Sequence, residues 1–160
     1  MTDGFTHIDE SGAARMVDVS GKQVTARSAT ATGRVLVSDE VVRLLRSGEV
    51  PKGDAIAVAR IAGIQAAKRT PDLVPLCHPI AVHGVDVVLQ VDDDAVAISA
   101  TVRTADRTGV EMEALTCVAV AGLALIDIVK AVDPSATITD VRVERKTGGS
   151  SGDWRRGDAS

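Results

Sequence analysis

Asp127 and Lys130 stand three residues apart, a spacing that puts both on one face of a helix. A carboxylate beside an ammonium can act as general base and general acid. Ten residues without a polar side chain, Cys117 to Ile126, precede Asp127. Burial there would raise its pKa, and the Lys130 charge would lower it again. The same spacing also fits an ordinary ion pair at a helix end, where a lysine suits the helix dipole. Glu111-Met112-Glu113 offers acid groups further upstream, which fit a helix N-terminus equally well. Leu76-Cys77-His78-Pro79 forms a third cluster. Pro79 restricts His78 to extended backbone, and an imidazole held that way can orient a heteroaromatic ligand or move a proton near neutral pH. His83 together with Cys77 suggests metal ligands, but no second paired set accompanies them, so a structural zinc site is not expected. Basic groups are scattered through polar stretches at Arg27, Lys52, Lys68, Arg69 and Lys146. The glycine-rich run after Lys146, from Gly148 to Gly152, could wrap a phosphate with backbone N–H groups. Neither a GxxxxGK[ST] loop nor GxGxxG is present, so ATPase and dinucleotide-binding readings lack their signatures.

The elements that must hold these groups follow from the pattern. Thr108 to Ala131 reads as one long helix, with Thr108 and Glu111 in the Thr-x-x-Glu spacing of a capping box. Glu111 and Asp127 are sixteen residues apart, roughly 24 Å along a straight helix. Groups so far apart cannot share one small-molecule site within a chain. If both ends are functional, the site combines ends from two subunits. Upstream, Met16–Val19 suggests a short strand and Gln23–Val37 a longer one. Ser38 caps a short helix that stops near Gly48, and Asp54 caps a second, Ala- and Gly-rich helix to Arg69. Residues 73–84, with two prolines, read as an ordered loop. Val85–Val91 and Ala95–Thr104 flank an Asp92-Asp93-Asp94 turn as an antiparallel hairpin, and a last strand covers 137–145. The order matches an α+β, ferredoxin-like sandwich, with helices on one face of an antiparallel sheet. The other face then needs a partner subunit, or it exposes a large apolar patch.

Composition narrows the function. The 160 residues suffice for a single domain, with a core at about residues 7–149 and mobile ends at 1–6 and 150–160. The net charge of -4 argues against a nucleic-acid groove, and 1% aromatics with no Tyr leaves no base-stacking platform. The core must be built from Val, Ala, Leu and Ile. The longest apolar run is ten residues, too short for a bilayer. The acidic start lacks the regions of a signal peptide, and two cysteines make no disulfide framework, so a cytoplasmic protein with reduced thiols is expected.

Taken together, KGDAIAVARIAGIQAAKRTPDLVPLCHPI, TGVEMEALTCVAVAGLALIDIVKAV and RKTGGSSGDW resemble the molybdenum cofactor biosynthesis protein C family, the cyclic pyranopterin monophosphate synthases. HIDESGAARMVDVSGK fits as well, so the resemblance runs from about His7 to Trp154. It implies conversion of 3′,8-cyclo-7,8-dihydro-GTP, made by a radical S-adenosylmethionine enzyme, into cyclic pyranopterin monophosphate with release of pyrophosphate. It implies a phosphorus–oxygen lyase in a homohexamer, a trimer of dimers with active sites between subunits. It places substrate binding on Leu76, Cys77, His78, Glu111 and Met112, the catalytic aspartate on Asp127, functional lysines on Lys52, Lys130 and Lys146, and a functional arginine on Arg27.

On that reading Lys130 partners Asp127, and Lys52 carries a second proton or binds phosphate. His78 with Glu111 and Met112 holds the ring system. Arg27 and Lys146 hold phosphates, with Lys68 and Arg69 as weaker candidates. No resident cofactor is expected, although Mg²⁺ could accompany the triphosphate. One departure is visible. Members often carry Lys where this chain has Ser150, so the loop would hold phosphate less strongly unless Arg155 and Arg156 compensate. A non-catalytic oligomeric nucleotide or pterin binder is the rival class, and it would not need Asp127 and Lys130 both charged and close.

Overall fold

A computed structural model describes residues 5–50 and 54–158. Nine elements follow in order: β1 (Thr25–Leu36), α1 (Asp39–Ser47), α2 (Ala55–Lys68), α3 (Thr70–Leu73), β2 (Gly84–Val91), β3 (Ala95–Asp106), α4 (Glu111–Val129), β4 (Thr137–Thr147) and β5 (Trp154–Arg155). The strands form one antiparallel sheet in the order β2-β3-β1-β4-β5. The first four give the expected ferredoxin-like arrangement, with α2 and α4 layered on one face.

Alternation along β1 decides which face that is. Ala29, Ala31, Gly33 and Val35 are buried under the helices, while the residues between them face the other way. The buried apolar side chains are Val and Ala with single Ile98, Leu125 and Cys117, as a chain nearly without aromatics requires. Such small side chains let backbones come close. At Gly63 in α2, a Cβ would lie 2.9 Å from the Cys117 carbonyl oxygen of α4. The two helices therefore touch backbone to backbone there.

Helix starts follow local chemistry where a cap is present. The Ser38 hydroxyl accepts from the Val41 N–H at 3.4 Å, and the Asp54 carboxylate accepts from the Ala57 N–H at 2.9 Å. Gly48 ends α1 in the left-handed region at φ 74°. The start of α4 differs from expectation. Thr108 caps nothing. Val110 is the cap residue and makes no side-chain cap bond, so the helix begins at Glu111. The cause is burial: β3 runs on to Asp106, and fully buried Val110 is fixed by the core rather than by a polar cap.

Three further differences concern segments with weak patterns. Met16–Val19 is not a strand but a strap without regular secondary structure. Residues 9–13, for which no element is expected, take a defined turn, in which Asp9 accepts from the N–H groups of Ser11 and Ala13, both at 2.9 Å. The tail folds back as β5, with Lys146 opposite Trp154 and Arg145 opposite Arg155. The sheet's second face carries side chains that bond one another. It is polar: Thr30 bonds Thr101 at 2.8 Å, Thr32 bonds Glu144 at 2.7 Å, and Arg103 pairs with Asp86 at 2.6 Å. Val88 is an exposed apolar side chain on that face, and Val58, Ile61 and Leu123 are exposed on the helix layer.

Candidate active site

The first turn of α4 meets the loop after α3, and the contact builds a cavity of about 690 Å³. Leu76, Cys77 and His78 line it from the loop, and Glu111 and Met112 from the helix. Sequence residues thirty-odd positions apart are thus brought together. The strap and turn at the N-terminus close the other side, through His7 and Ala14. Neither is marked as a site residue by the sequence, because a polar segment without periodicity carries no signal of where it lands.

Charge is arranged on one rim. The Lys146 ammonium reaches from the end of β4 to Glu111 Oε1 at 3.1 Å and approaches the Ser151 hydroxyl at 3.4 Å. Arg27 in β1 is held by the carbonyls of Asp106 at 3.1 Å and Arg107 at 3.2 Å, which spend two of its donors on backbone. Gly149, at φ 82°, lies against the Arg27 guanidinium, and a side chain there would collide with it. The Gly148–Gly152 turn is closed by Gly148 N–H donating to Asp153 at 3.1 Å. Lys146 thus reaches the carboxylate end of the cavity through Glu111, and Arg27 stands beside the glycine turn that follows Lys146. Arg156 is committed elsewhere, donating to the Val143 carbonyl at 2.9 Å and lying over the Trp154 ring.

His78 is oriented by the strap. Its Nε2 lies 2.6 Å from the Val17 carbonyl oxygen. A carbonyl only accepts, so Nε2 carries a hydrogen, and Nδ1 is the atom left to accept in the neutral ring. His83, by contrast, is structural, since its Nδ1 accepts from the Ala105 N–H at 3.3 Å.

Their surroundings push both thiols away from the thiolate form. Burial first, then the Glu113 carboxylate beside it, push the Cys77 thiol up to about 12. Burial alone does the same to Cys117, to about 12. In the sequence Glu113 fits an acidic helix start. It is 1% exposed, and its Oε1 accepts from the Cys77 thiol at 3.5 Å.

Asp127 and Lys130 form the expected pair, at 2.7 Å, but at the far end of α4. Their side chains are 67% and 58% exposed, so the burial expected of Asp127 is not supplied by its own chain. Lys68 is exposed in the last turn of α2 and does not line the cavity. Lys52 lies outside the described residues.

An α+β sandwich whose helix start and cysteine–histidine loop line an apolar-walled cavity, with Lys146 paired to Glu111 beside it, defines a small-molecule-binding site. Residues 16–149 match the MoaC family, and the chain belongs to that family. Over 154 residues it is 72% identical to a Streptomyces coelicolor protein named cyclic pyranopterin monophosphate synthase, covering 96% of this chain and 91% of that one. It is 70% identical over 155 residues to a protein of the same name from Nocardioides, covering 95% of both chains. A Mycobacterium tuberculosis protein named cyclic pyranopterin monophosphate synthase 2 is 57% identical over 152 residues, covering 95% of this chain and 91% of that one.

Proposed function

We propose that this chain is a cyclic pyranopterin monophosphate synthase of molybdenum cofactor biosynthesis, acting in the cytoplasm as a lyase. Its substrate is 3′,8-cyclo-7,8-dihydro-GTP, and its products are cyclic pyranopterin monophosphate and pyrophosphate. The observation that carries this reading is the cavity joining Leu76, Cys77 and His78 to Glu111 and Met112, with Lys146 paired to Glu111 and Arg27 beside the glycine turn that follows Lys146. An ionised Glu111 accepts from guanine-type N–H donors, and His78 Nδ1 accepts from a ring N–H or hydroxyl. Lys146 exchanges Glu111 for phosphate oxygens when the triphosphate enters, and the Gly148–Gly149 backbone adds donors.

The conversion rearranges rings, closes a cyclic phosphate and expels pyrophosphate with no net change of oxidation state. Proton transfers and charge neutralisation suffice for it. Asp127 takes or gives the proton at the reacting centre, Lys130 holds Asp127 in place, and Lys52 serves as second proton carrier or phosphate ligand. Mg²⁺ enters with the triphosphate as part of the substrate. Positioning a flexible triphosphate in one reactive conformation supplies much of the rate.

Assembly follows from the length of α4. Its ends are roughly 24 Å apart, so one chain's Asp127–Lys130 must serve another chain's cavity. Exposed Val58, Ile61 and Leu123 on the helix layer favour a second copy docking there, in a hexamer built as a trimer of dimers. α4 is long and apolar enough to cross a membrane, but Ala114, Cys117, Ala121 and Leu125 are fully buried against the fold.

Turnover of the cyclic dihydro-GTP intermediate, with pyrophosphate and pterin product followed together, tests the reading. Wild type should form both products in equal amounts. Asp127→Asn should bind the substrate and form neither. Tight binding by wild type without turnover would favour the non-catalytic binder.

A further inference from the structure

The segment before β1 is held differently from the rest of the chain. Residues 5–24 contain no buried side chain, and only Asp9, Val17 and Val19 are half-buried. Phe5 and Met16 are 72% and 51% exposed, so apolar contact does little to fasten the segment. Within itself it is well bonded. Asp9 accepts from the Ser11 hydroxyl at 2.6 Å as well as from the two turn N–H groups, Ile8 bridges Ala14, and the Arg15 N–H donates to the His7 carbonyl at 2.9 Å. To the rest of the described residues it makes two hydrogen bonds. His78 Nε2 donates to the Val17 carbonyl at 2.6 Å, and Arg107 Nε donates to the Lys22 carbonyl at 3.0 Å.

Packing around His78 is also incomplete. The cavity bordered by His7 and Ala14 is one open space. A second hollow of about 510 Å³ lies between Met16–Ser20 and the Pro79, Ile80 and Arg107 side. His78 and Thr108 line both. A segment that filled its seat at the density of a protein interior would leave no such space. A unit that is bonded within itself, exposed, underpacked and tied down at two points opens locally at little cost. A single hydrogen bond nets little where water can take its place.

We propose that residues 5–20 form a lid over the cavity, pivoting at the Lys22 end and latched by the bond from His78 to the Val17 carbonyl. The inference rests on the functional reading above, since it takes that cavity to be the substrate site. Opening withdraws His7 and Ala14 from the wall, which lets a bulky triphosphate enter. Closing shields the cavity from water and fixes the His78 ring. With Nε2 donating to Val17, the neutral imidazole carries its hydrogen there and presents Nδ1 as acceptor. With the lid open, Val17 no longer decides which nitrogen holds the hydrogen. Closure therefore encloses the substrate and selects the tautomer that meets it in one movement.

The test follows amide hydrogen exchange in the full-length assembled protein, with Asp127→Asn used so that bound substrate persists. Exchange is read in the free protein and in protein saturated with the cyclic dihydro-GTP. Free, residues 7–20 should exchange about a hundredfold or more faster than β1; loading should slow them about tenfold or more and leave β1 unchanged. Asp9→Ala, which breaks the turn inside the lid, gives a kinetic reading. Its KM should rise about threefold or more with kcat within about threefold, and its Tm should stay within about 1 °C of wild type. A segment that merely braces the fold would lower Tm and leave KM alone. The proposal is overturned if residues 7–20 of the free protein exchange as slowly as β1, if loading leaves their exchange unchanged, or if Asp9→Ala leaves KM unaltered. Should Asp127→Asn fail to bind the cyclic dihydro-GTP, the functional reading falls instead, and the comparison with β1 in the free protein still decides whether the lid opens.

Discussion

Gly63→Ala is the sharpest single perturbation of the frame that holds the site. The added Cβ would stand 2.9 Å from the Cys117 carbonyl oxygen, 3.1 Å from its Sγ and 3.2 Å from the Ala121 Cβ. The closest of these is backbone, so α2 and α4 must separate by a few tenths of an ångström. Overpacking of this kind costs about 1–3 kcal/mol. Replacing Gly by Ala inside a helix returns about 1 kcal/mol. The net is a loss of about 1 kcal/mol, with about 2 kcal/mol as the upper end. For a chain of this size that lowers Tm by about 2–8 °C. The displacement also has a functional side, because α2 leads into the Leu76–His78 loop and α4 carries Glu111. Misplacing binding groups by a fraction of an ångström should raise KM for the cyclic dihydro-GTP. Thermal melts and steady-state kinetics read both effects. Gly21→Ala serves as control, since nothing lies within 4 Å of a Cβ there, and it should melt at or slightly above wild type. An unchanged or raised Tm for Gly63→Ala, with KM unaltered, would refute the argument that backbone contact sets the spacing of the two helices.

Two further outcomes follow from the same geometry. Mixing separately inactive Asp127→Asn and Glu111→Gln chains should restore turnover, because half of randomly mixed dimers are hybrids with one intact site in two, about a quarter of all sites; no recovery after verified subunit exchange would place both ends in one chain's site. Asp133 accepts from the Ser135 hydroxyl at 2.6 Å and the Ser38 N–H at 2.8 Å, and these bonds, the hydroxyl first, hold its carboxyl below the usual range. A lowered folded pKa contributes stability that is complete above the unfolded value of about 3.9 and lost as pH falls through the folded one. The Tm gap between wild type and Asp133→Asn should therefore close on acidification from about pH 6 to about pH 2, and a pH-independent gap would count against it.

Much of the fold was legible because patterns of two kinds coincide in this sequence. Alternation over β1 and a triple-Asp turn between β2 and β3 fix the strands and their antiparallel pairing. Ser38, Asp54 and Gly48 mark helix ends through bonds the chain does make. The start of α4 was misread because a capping-box spacing competes with burial of Val110, and the sequence does not weigh one against the other. Glu113 was missed for a related reason. An acidic residue in a first helical turn is already accounted for by the helix dipole, yet its spacing of four from Cys117 put it on the core stripe. That spacing was the available signal. The polarity of the second sheet face was also readable, in Thr30, Thr32 and Arg34 alternating with the buried residues of β1. The Glu111–Lys146 contact was not readable, since it depends on β4 pairing with β1 in a register that sets Lys146 opposite Ala29.

The two ends of α4 also differ in how finished they are. At its start, one chain supplies walls, cations and a buried acid, so a ligand meets low-dielectric surroundings at once. At its end, Asp127 and Lys130 touch at 2.7 Å but remain largely in water. An exposed pair of that kind is worth little, because water screens the charges and competes for their hydrogen bonds. The same pair covered by protein interacts several times more strongly at the same distance. In the proposed assembly, a partner chain brings its cavity to Asp127 and also removes the water around it. Acid–base strength would then be gained on assembly rather than on folding. A helix whose termini are held rigidly apart suits that division: it cannot bend to close a site on itself, so in the proposed assembly the chemistry would wait for the second chain.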